Sequence, residues 1–292
     1  MRLTPKLSRH TRGVLYILLA AFFFSGMTVF IRLAGDLPTM QKAMFRNLVA
    51  AVVMTFVLAR SPEKFKIKRD CLPELFLRAM FGTAGLVANF WAVDHMNIAD
   101  ANMLNKLSPF FAIIMSAFIM KEIPSRFEWF TVALAFAGAL FVIKPTAGLA
   151  SFPALVGAFG GFAAGTAYTF VRKASAKGER GSVIVMFFSV FSCLAALPFA
   201  IADYTPMSLR QLLFLLGAGC CGACGQIAIT AAYRCAPAKE ISVFDYSQIL
   251  WASLFSFLVF GSLPDHWSLL GYLIIIGTAV FRWAHDRKAA AG

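Results

Sequence analysis

The segment ADANMLNKLSPFFAIIMSAFIMKE, residues 99–122, places Lys106 deep inside an otherwise apolar run. As a helix rising about 1.5 Å per residue, a run of this length covers about 30 Å, the thickness of a bilayer's hydrocarbon. The lysine therefore sits at the depth where a charge is hardest to keep. It has polar company in Asn102, Asn105 and Ser108, with Pro109 directly after them.

The rest of the chain is of the same kind. Hydrophobic residues make up 60% and charged residues 14%, with a mean hydropathy of +0.74, which is far from the balance of a soluble domain. Ten apolar runs of spanning length lie near residues 13–33, 40–59, 73–93, 97–120, 127–144, 153–173, 183–202, 210–233, 239–262 and 267–285. The expected fold class is therefore an all-α integral membrane protein with ten transmembrane helices and no soluble domain. The first apolar run follows MRLTPKLSRHTRG, continues through MTVFI and is closed by no A-x-A pattern, so it reads as a span and not as a cleaved leader.

A net charge of +13 in a soluble protein would point to nucleic acid, but its placement here argues for topology. Lys and Arg crowd one set of connections: Arg2 to Arg12 before the first span, Arg60 to Arg69 between spans two and three, and Arg172 to Arg180 between spans six and seven. The opposite set carries only Lys42, Lys144 and Arg210. The positive-inside rule then puts both termini in the cytoplasm of a cell whose cytoplasmic membrane holds the protein. The expected partners are the lipid bilayer and a small-molecule substrate, with no nucleic acid. Cys221-Gly-Ala-Cys224 has the form of a redox motif but lies in a Gly-rich apolar helix, where small residues serve close packing.

Offsetting the sequence against itself by 140 residues lays TVFIRLA (28–34) over YTFVRKA (168–174), Gly82 and Gly85 over Gly222 and Gly225, and Pro124 over Pro264. The chain thus reads as two copies of a five-helix unit, 13–145 and 153–285, between tails 1–12 and 286–292. Five is odd, so the second copy is expected to enter the membrane inverted, the architecture of many secondary transporters. The spans, the duplication, and the run ADANMLNKLSPFFAIIMSAFIMKE followed by WFTVALAFAGALFVIKP resemble the drug/metabolite transporter superfamily, in particular its EamA-type members. The resemblance implies a ten-helix carrier of small metabolites, often an exporter, with its cavity where the repeats meet. One departure stands out: Glu122 ends the fourth span of copy one, and FGSLPDHW in copy two has no acid there.

Asn102, Asn105, Lys106 and Pro109 follow an i, i+3, i+4, i+7 spacing and are expected on one helical face. The offset of 140 maps Asn102, Asn105 and Lys106 onto Ser242, Asp245 and Tyr246 of SVFDYSQ, so both copies carry a polar triplet near mid-membrane. Three readings stay open for the two charges. Lys106 and Asp245 pair with each other; or they line a cavity, Lys106 meeting an acid and Asp245 an amine; or Asp245 exchanges a proton and couples transport to a gradient. Pro109 kinks its span and is a candidate gating residue. Further candidates for substrate contact are Asn89 and Trp91, Tyr168, Gln226 and Tyr233, and Gln248. Arg78 is read as snorkelling to its nearby membrane face, and Arg46 as serving substrate access or a salt bridge. Gly157, Gly161 and Gly165 mark a close helix contact or a sliding surface.

The expected function is secondary transport, most simply export, of a small polar or zwitterionic metabolite such as an amino acid. The alternative is uptake of a nucleoside-, vitamin- or adenosyl-type metabolite, with a channel or a membrane-embedded enzyme behind it. The chain carries no Walker A sequence, and its four histidines are scattered, so neither a cofactor nor a metal is expected.

Overall fold

The computed structural model describes residues 9–121, 123–143, 151–235 and 242–291. The first half comprises α1 (Arg9–Leu33), α2 (Thr39–Ala59), α3 (Leu72–His95), α4 (Ile98–Asn105), α5 (Ser108–Ile119) and α6 (Arg126–Ile143). The second comprises α7 (Phe152–Ala176), α8 (Gly181–Ala202), α9 (Leu209–Cys235), α10 (Ser247–Phe260) and α11 (His266–Ala291). Short 3-10 turns at Arg69–Cys71 and Ser242–Tyr246 lead into α3 and α10. Among the described residues, nine helical stretches are long and apolar enough to cross a membrane, and Phe244–Phe260 is a shorter apolar one. Bulky side chains such as Phe118, Ile201, Leu250 and Leu273 are exposed on the outside of the bundle, the arrangement lipid requires. Glu122, Lys144, Pro145 and the side chains of Tyr233 and Ser242 lie outside the described residues.

The halves exchange partners. The most extensive helix contacts are α1 on α9 and α3 on α7, followed by α2 on α8 and α6 on α11. Shifted by 140 residues, α1 becomes α7 and α3 becomes α9, so the first two packings are one contact made twice. Neither half buries its own first helix without the other.

Small residues set how near the helices come. A Cβ built on Gly161 would lie 2.5 Å from the carbonyl oxygen of Leu104, and one on Gly165 would lie 2.5 Å from that of Ser108. The GxxxG pair of α7 is therefore the close packing surface against the junction of α4 and α5, where backbone meets backbone.

At the basic end the loops of the two halves interlock. The Arg180 guanidinium donates to the carbonyl oxygens of Lys64 (2.8 Å) and Lys66 (2.9 Å), and Glu179 accepts from the amide of Lys68 (2.9 Å). Glu74 takes Lys177 at 2.9 Å and Lys173 at 3.5 Å. Much of the basic charge is thus committed to holding one half against the other. Cys71, in the connection between the second and third apolar runs, is buried at the foot of α3 against Leu75, Ala174 and Ile184, because the 3-10 turn folds it under the helix.

Two outcomes follow from these contacts. Gly165→Val should cost about 1–3 kcal/mol through overpacking, read as a lower unfolding temperature in detergent; an unchanged temperature would show that α7 does not seat on this junction. Arg180→Gln should speed tryptic cleavage at the basic sites between α2 and α3, followed by mass spectrometry, whereas an unchanged cleavage pattern would mean that the loop holds itself.

Candidate substrate site at the two helix breaks

The fourth span is two helices and not one. Pro109 has no N–H to give to the carbonyl of Asn105, and the amide of Phe110 turns to Leu107 at 2.9 Å, leaving the Lys106 carbonyl without its helical donor. The chain therefore stops as α4 at Asn105 and restarts as α5 at Ser108, with Pro109 in the first turn. This corrects the expectation of one kinked helix with Asn102, Asn105, Lys106 and Pro109 on a single face: Pro109 belongs to a different helix from the three polar residues. In the ninth span the described residues begin with a 3-10 turn in the matching register. The turn ends at Tyr246, the residue 140 positions after Lys106, and α10 starts at Ser247.

The two breaks are tied to each other. Lys106 Nζ forms an ion pair and hydrogen bond with Asp245 Oδ2. Tyr246, itself buried, donates its hydroxyl to the freed Lys106 carbonyl at 3.1 Å. Gln248 Nε2 donates to Asn102 Oδ1 at 3.0 Å, and Asn102 Nδ2 donates to the Ile98 carbonyl at 2.8 Å. Ser25 of α1 closes the ring by donating to the Gln248 carbonyl at 2.9 Å. Of the predicted residues, the fold thus brings together Lys106, Asn102, Asp245, Tyr246 and Gln248. Of the three readings left open for the charges, pairing is the one realised in this conformation. Asp245 keeps one unused acceptor: its buried Oδ1 has no hydrogen-bond partner among the described residues.

Trp91, Asn105 and Asn89 make none of these side-chain bonds among the described residues. Trp91 stacks on His95 with ring centroids 3.8 Å apart and meets the edge of Phe152, near the end of its span opposite the basic loops. Asn105 is half-buried beside the backbone of α7. Gln226 is half-buried on α9. Asn89 is buried with its Nδ2 unpartnered.

Tyr168 is 53% exposed, yet it does not face lipid. The exposed Phe159 lies on the same helix nine residues earlier, about 180° around it at about 100° per residue. Gly161, seven residues before Tyr168, falls on nearly the same face and packs on the α4–α5 junction. The Tyr168 hydroxyl lies within electrostatic reach of Asp245, Arg78 and Arg46. Tyr168 therefore opens onto the interior of the bundle, toward its basic end.

The opposite end is sealed by groups that sequence reasoning missed. Lys42, counted as a loop charge, is buried and pairs with Asp94 at 2.6 Å. Arg32 donates to the Met96 carbonyl at 2.9 Å, and Tyr272 donates to Asp100 at 2.7 Å. Asp94 follows directly on the third apolar run and Asp100 lies just inside the fourth, so neither stands out from a span boundary. The available signal was Lys42, one of only three cations in that set of loops.

A profile of the EamA-like transporter family matches residues 11–144 and again residues 151–282. The chain belongs to the EamA-like transporter family. This EamA-like protein is similar to the pseudopaline exporter CntI of Pseudomonas aeruginosa, with 29% identity over 268 residues covering 90% of this chain and 93% of the relative. The riboflavin transporter of Vibrio cholerae is 26% identical over 92% of each chain. Solute carrier family 35 member G1 of Mus musculus is 25% identical over 94% of this chain and 80% of its own. A solved crystal structure with 15% identity superposes with a TM-score of 0.67 over 95% of this chain and 98% of its own, a likeness of fold. The EamA-like chain is accordingly a multi-pass membrane transporter and not an enzyme.

Removing one partner of the mid-membrane pair strands the other charge in a buried place, which costs about 3–5 kcal/mol. Lys106→Ala should therefore lower the unfolding temperature of the purified transporter, and Lys106→Ala/Asp245→Ala should recover most of the loss. A single variant as stable as the wild type would contradict the pairing.

Proposed function

We propose that the chain is a secondary transporter that exports a small polar or zwitterionic metabolite, such as an amino acid, across the cytoplasmic membrane by alternating access. The observation that carries this reading is the joining of the α4–α5 break to the 3-10 turn before α10 by one ion pair, Lys106 with Asp245. Discontinuous helices at mid-membrane supply unpaired backbone groups and charges at the depth where transporters hold their substrates. A five-span copy returns inverted, so the two copies can exchange conformations about the pair.

Asp245 takes the central role. A substrate amine or a proton arriving at its free Oδ1 competes with Lys106 for the carboxylate, and release of Lys106 uncouples α4 from the turn before α10. Pro109 weakens the join between α4 and α5, because it gives no amide to the Asn105 carbonyl and the Phe110 amide turns to Leu107. The outward direction is favoured by the exporter among the relatives. The basic loops mark the cytoplasmic face, which places both termini there. On that assignment, the Lys42–Asp94 pair and the Tyr272–Asp100 contact close the outer end, and Tyr168 faces the cytoplasm.

The test is counterflow in proteoliposomes preloaded with unlabelled amino acids and supplied with a carbon-14-labelled amino-acid mixture outside. The wild type should accumulate label saturably, and Lys106→Ala/Asp245→Ala should fall to the level of empty vesicles. Flux that never saturates, or full counterflow in the double variant, would overturn the reading.

A further inference from the structure

Four cationic side chains are buried in the first half, and they differ in their company. Lys42 has Asp94 and Lys106 has Asp245. Arg46 and Arg78 have no carboxylate within salt-bridge distance among the described residues. Arg46 is 4% exposed; its Nη1 donates to Asn47 Oδ1 at 2.6 Å and its Nε to the Met27 sulfur at 3.4 Å. Arg78 is 6% exposed, so it does not snorkel as the sequence suggests. Its guanidinium lies over the Phe188 ring at 4.0 Å, and its buried Nε has no hydrogen-bond partner. The reason is a vacant seat along its own helix: one turn on, Gly82 leaves the room that the guanidinium fills, and any Cβ there would strike it.

The second arginine has the same kind of seat. A Cβ on Gly222 would lie 2.7 Å from Arg46 Nε and 3.1 Å from Nη2. Gly82 and Gly222 are the matching pair under the 140-residue offset, so equivalent positions in the two repeats each make space for one guanidinium. Both heads face α8: Arg78 lies over Phe188, and Asn47, which accepts from Arg46, donates to Ser192 one turn further along that helix at 2.8 Å. Both also act on the Tyr168 hydroxyl, which opens onto the interior toward the basic end. Two like charges held together in a membrane, without a protein anion, cost free energy that burial makes worse.

We propose that Arg46 and Arg78 form an anion subsite on the interior wall, completed by Tyr168, and that the transported metabolite is a net anion bearing at least two oxyanion groups, carboxylate or phosphate. Guanidinium forks hold planar oxyanions bidentately, and Arg78 has free donors for the task. With Asp245 in reach of the same hydroxyl, an amine on the substrate meets the carboxylate while its acidic groups meet the arginines. This specifies the substrate class of the transporter proposed above and rests on that reading. Its failure is separable from a failure of transport, because the test reads binding alone.

The purified full-length protein in uncharged dodecyl maltoside is titrated with succinate, citrate and inorganic phosphate, and with glutamine as a neutral control, reading the unfolding temperature. At least one oxyanion should raise it in a dose-dependent manner that weakens with salt, and glutamine should not. Arg46→Gln and Arg78→Gln should each weaken that binding about tenfold or more, the loss of one charge-assisted contact. Arg46→Lys and Arg78→Lys keep the charge and guard against misfolding; they should retain a reduced, salt-sensitive shift. No shift with any of the three anions, or an equal shift in Arg46→Gln/Arg78→Gln, overturns the proposal. The same titration in phosphatidylcholine nanodiscs with and without phosphatidylglycerol separates the sources. Stabilisation by phosphatidylglycerol with none by soluble anions would assign the arginines to a lipid headgroup and overturn the substrate assignment.

Discussion

A lysine and an aspartate in the middle of a membrane bundle must find water, a ligand or each other, because hydrocarbon solvates neither charge. In this chain Lys106 and Asp245 find each other, and the rest of the site is arranged around that meeting. They meet where the fourth span is interrupted and the ninth carries a 3-10 turn. Pro109 opens the first by withholding one amide, and a 3-10 turn opens the second. The freed Lys106 carbonyl is then taken by Tyr246, and Asn102 and Gln248 satisfy each other across the same seam. α7 can lie against the junction only because Gly161 and Gly165 put no side chain there. One electrostatic requirement thus reaches outward through backbone geometry to helix packing.

The two halves supply this seam asymmetrically. Copy one brings the cations, Lys106, Arg46 and Arg78, and copy two brings Asp245 and Tyr168. Repeat symmetry survives instead in the scaffold, in the reciprocal packing of α1 on α9 and α3 on α7 and in the paired seats at Gly82 and Gly222. A duplicated scaffold with diverged polar residues can keep two alternative arrangements while the interior recognises one chemistry.

The spans and the duplication were legible in the sequence because both rest on patterns that survive without tertiary context, the length of an apolar run and the register of matching residues. The polar pair was legible for the same reason: Lys106 and Asp245 are each conspicuous in an apolar run, and the offset of 140 aligns their neighbourhoods. What the sequence hid depends on direction in space. Arg78 lies near a span end and so reads as free to snorkel, but Gly82 offers it room inward. Asp94 and Asp100 sit unremarked at span boundaries until Lys42 and Tyr272 close on them. Pro109 announces a kink, but the partner that takes the freed Lys106 carbonyl, Tyr246 in the turn before α10, comes from the other half and is encoded in no local pattern.

The central claim is that the Lys106–Asp245 pair holds the two halves in one arrangement and that breaking it frees the other. Double electron–electron resonance tests this directly, using spin labels in a cysteine-free background. One label pair at Asp36 and Leu263 reports the end away from the basic loops, and another at Lys66 and Ser175 reports the basic end. The wild type should give one dominant distance for each pair. Lys106→Ala/Asp245→Ala should populate a second state in which the first distance lengthens as the second shortens. Unchanged distributions at both ends in the double variant would contradict the account.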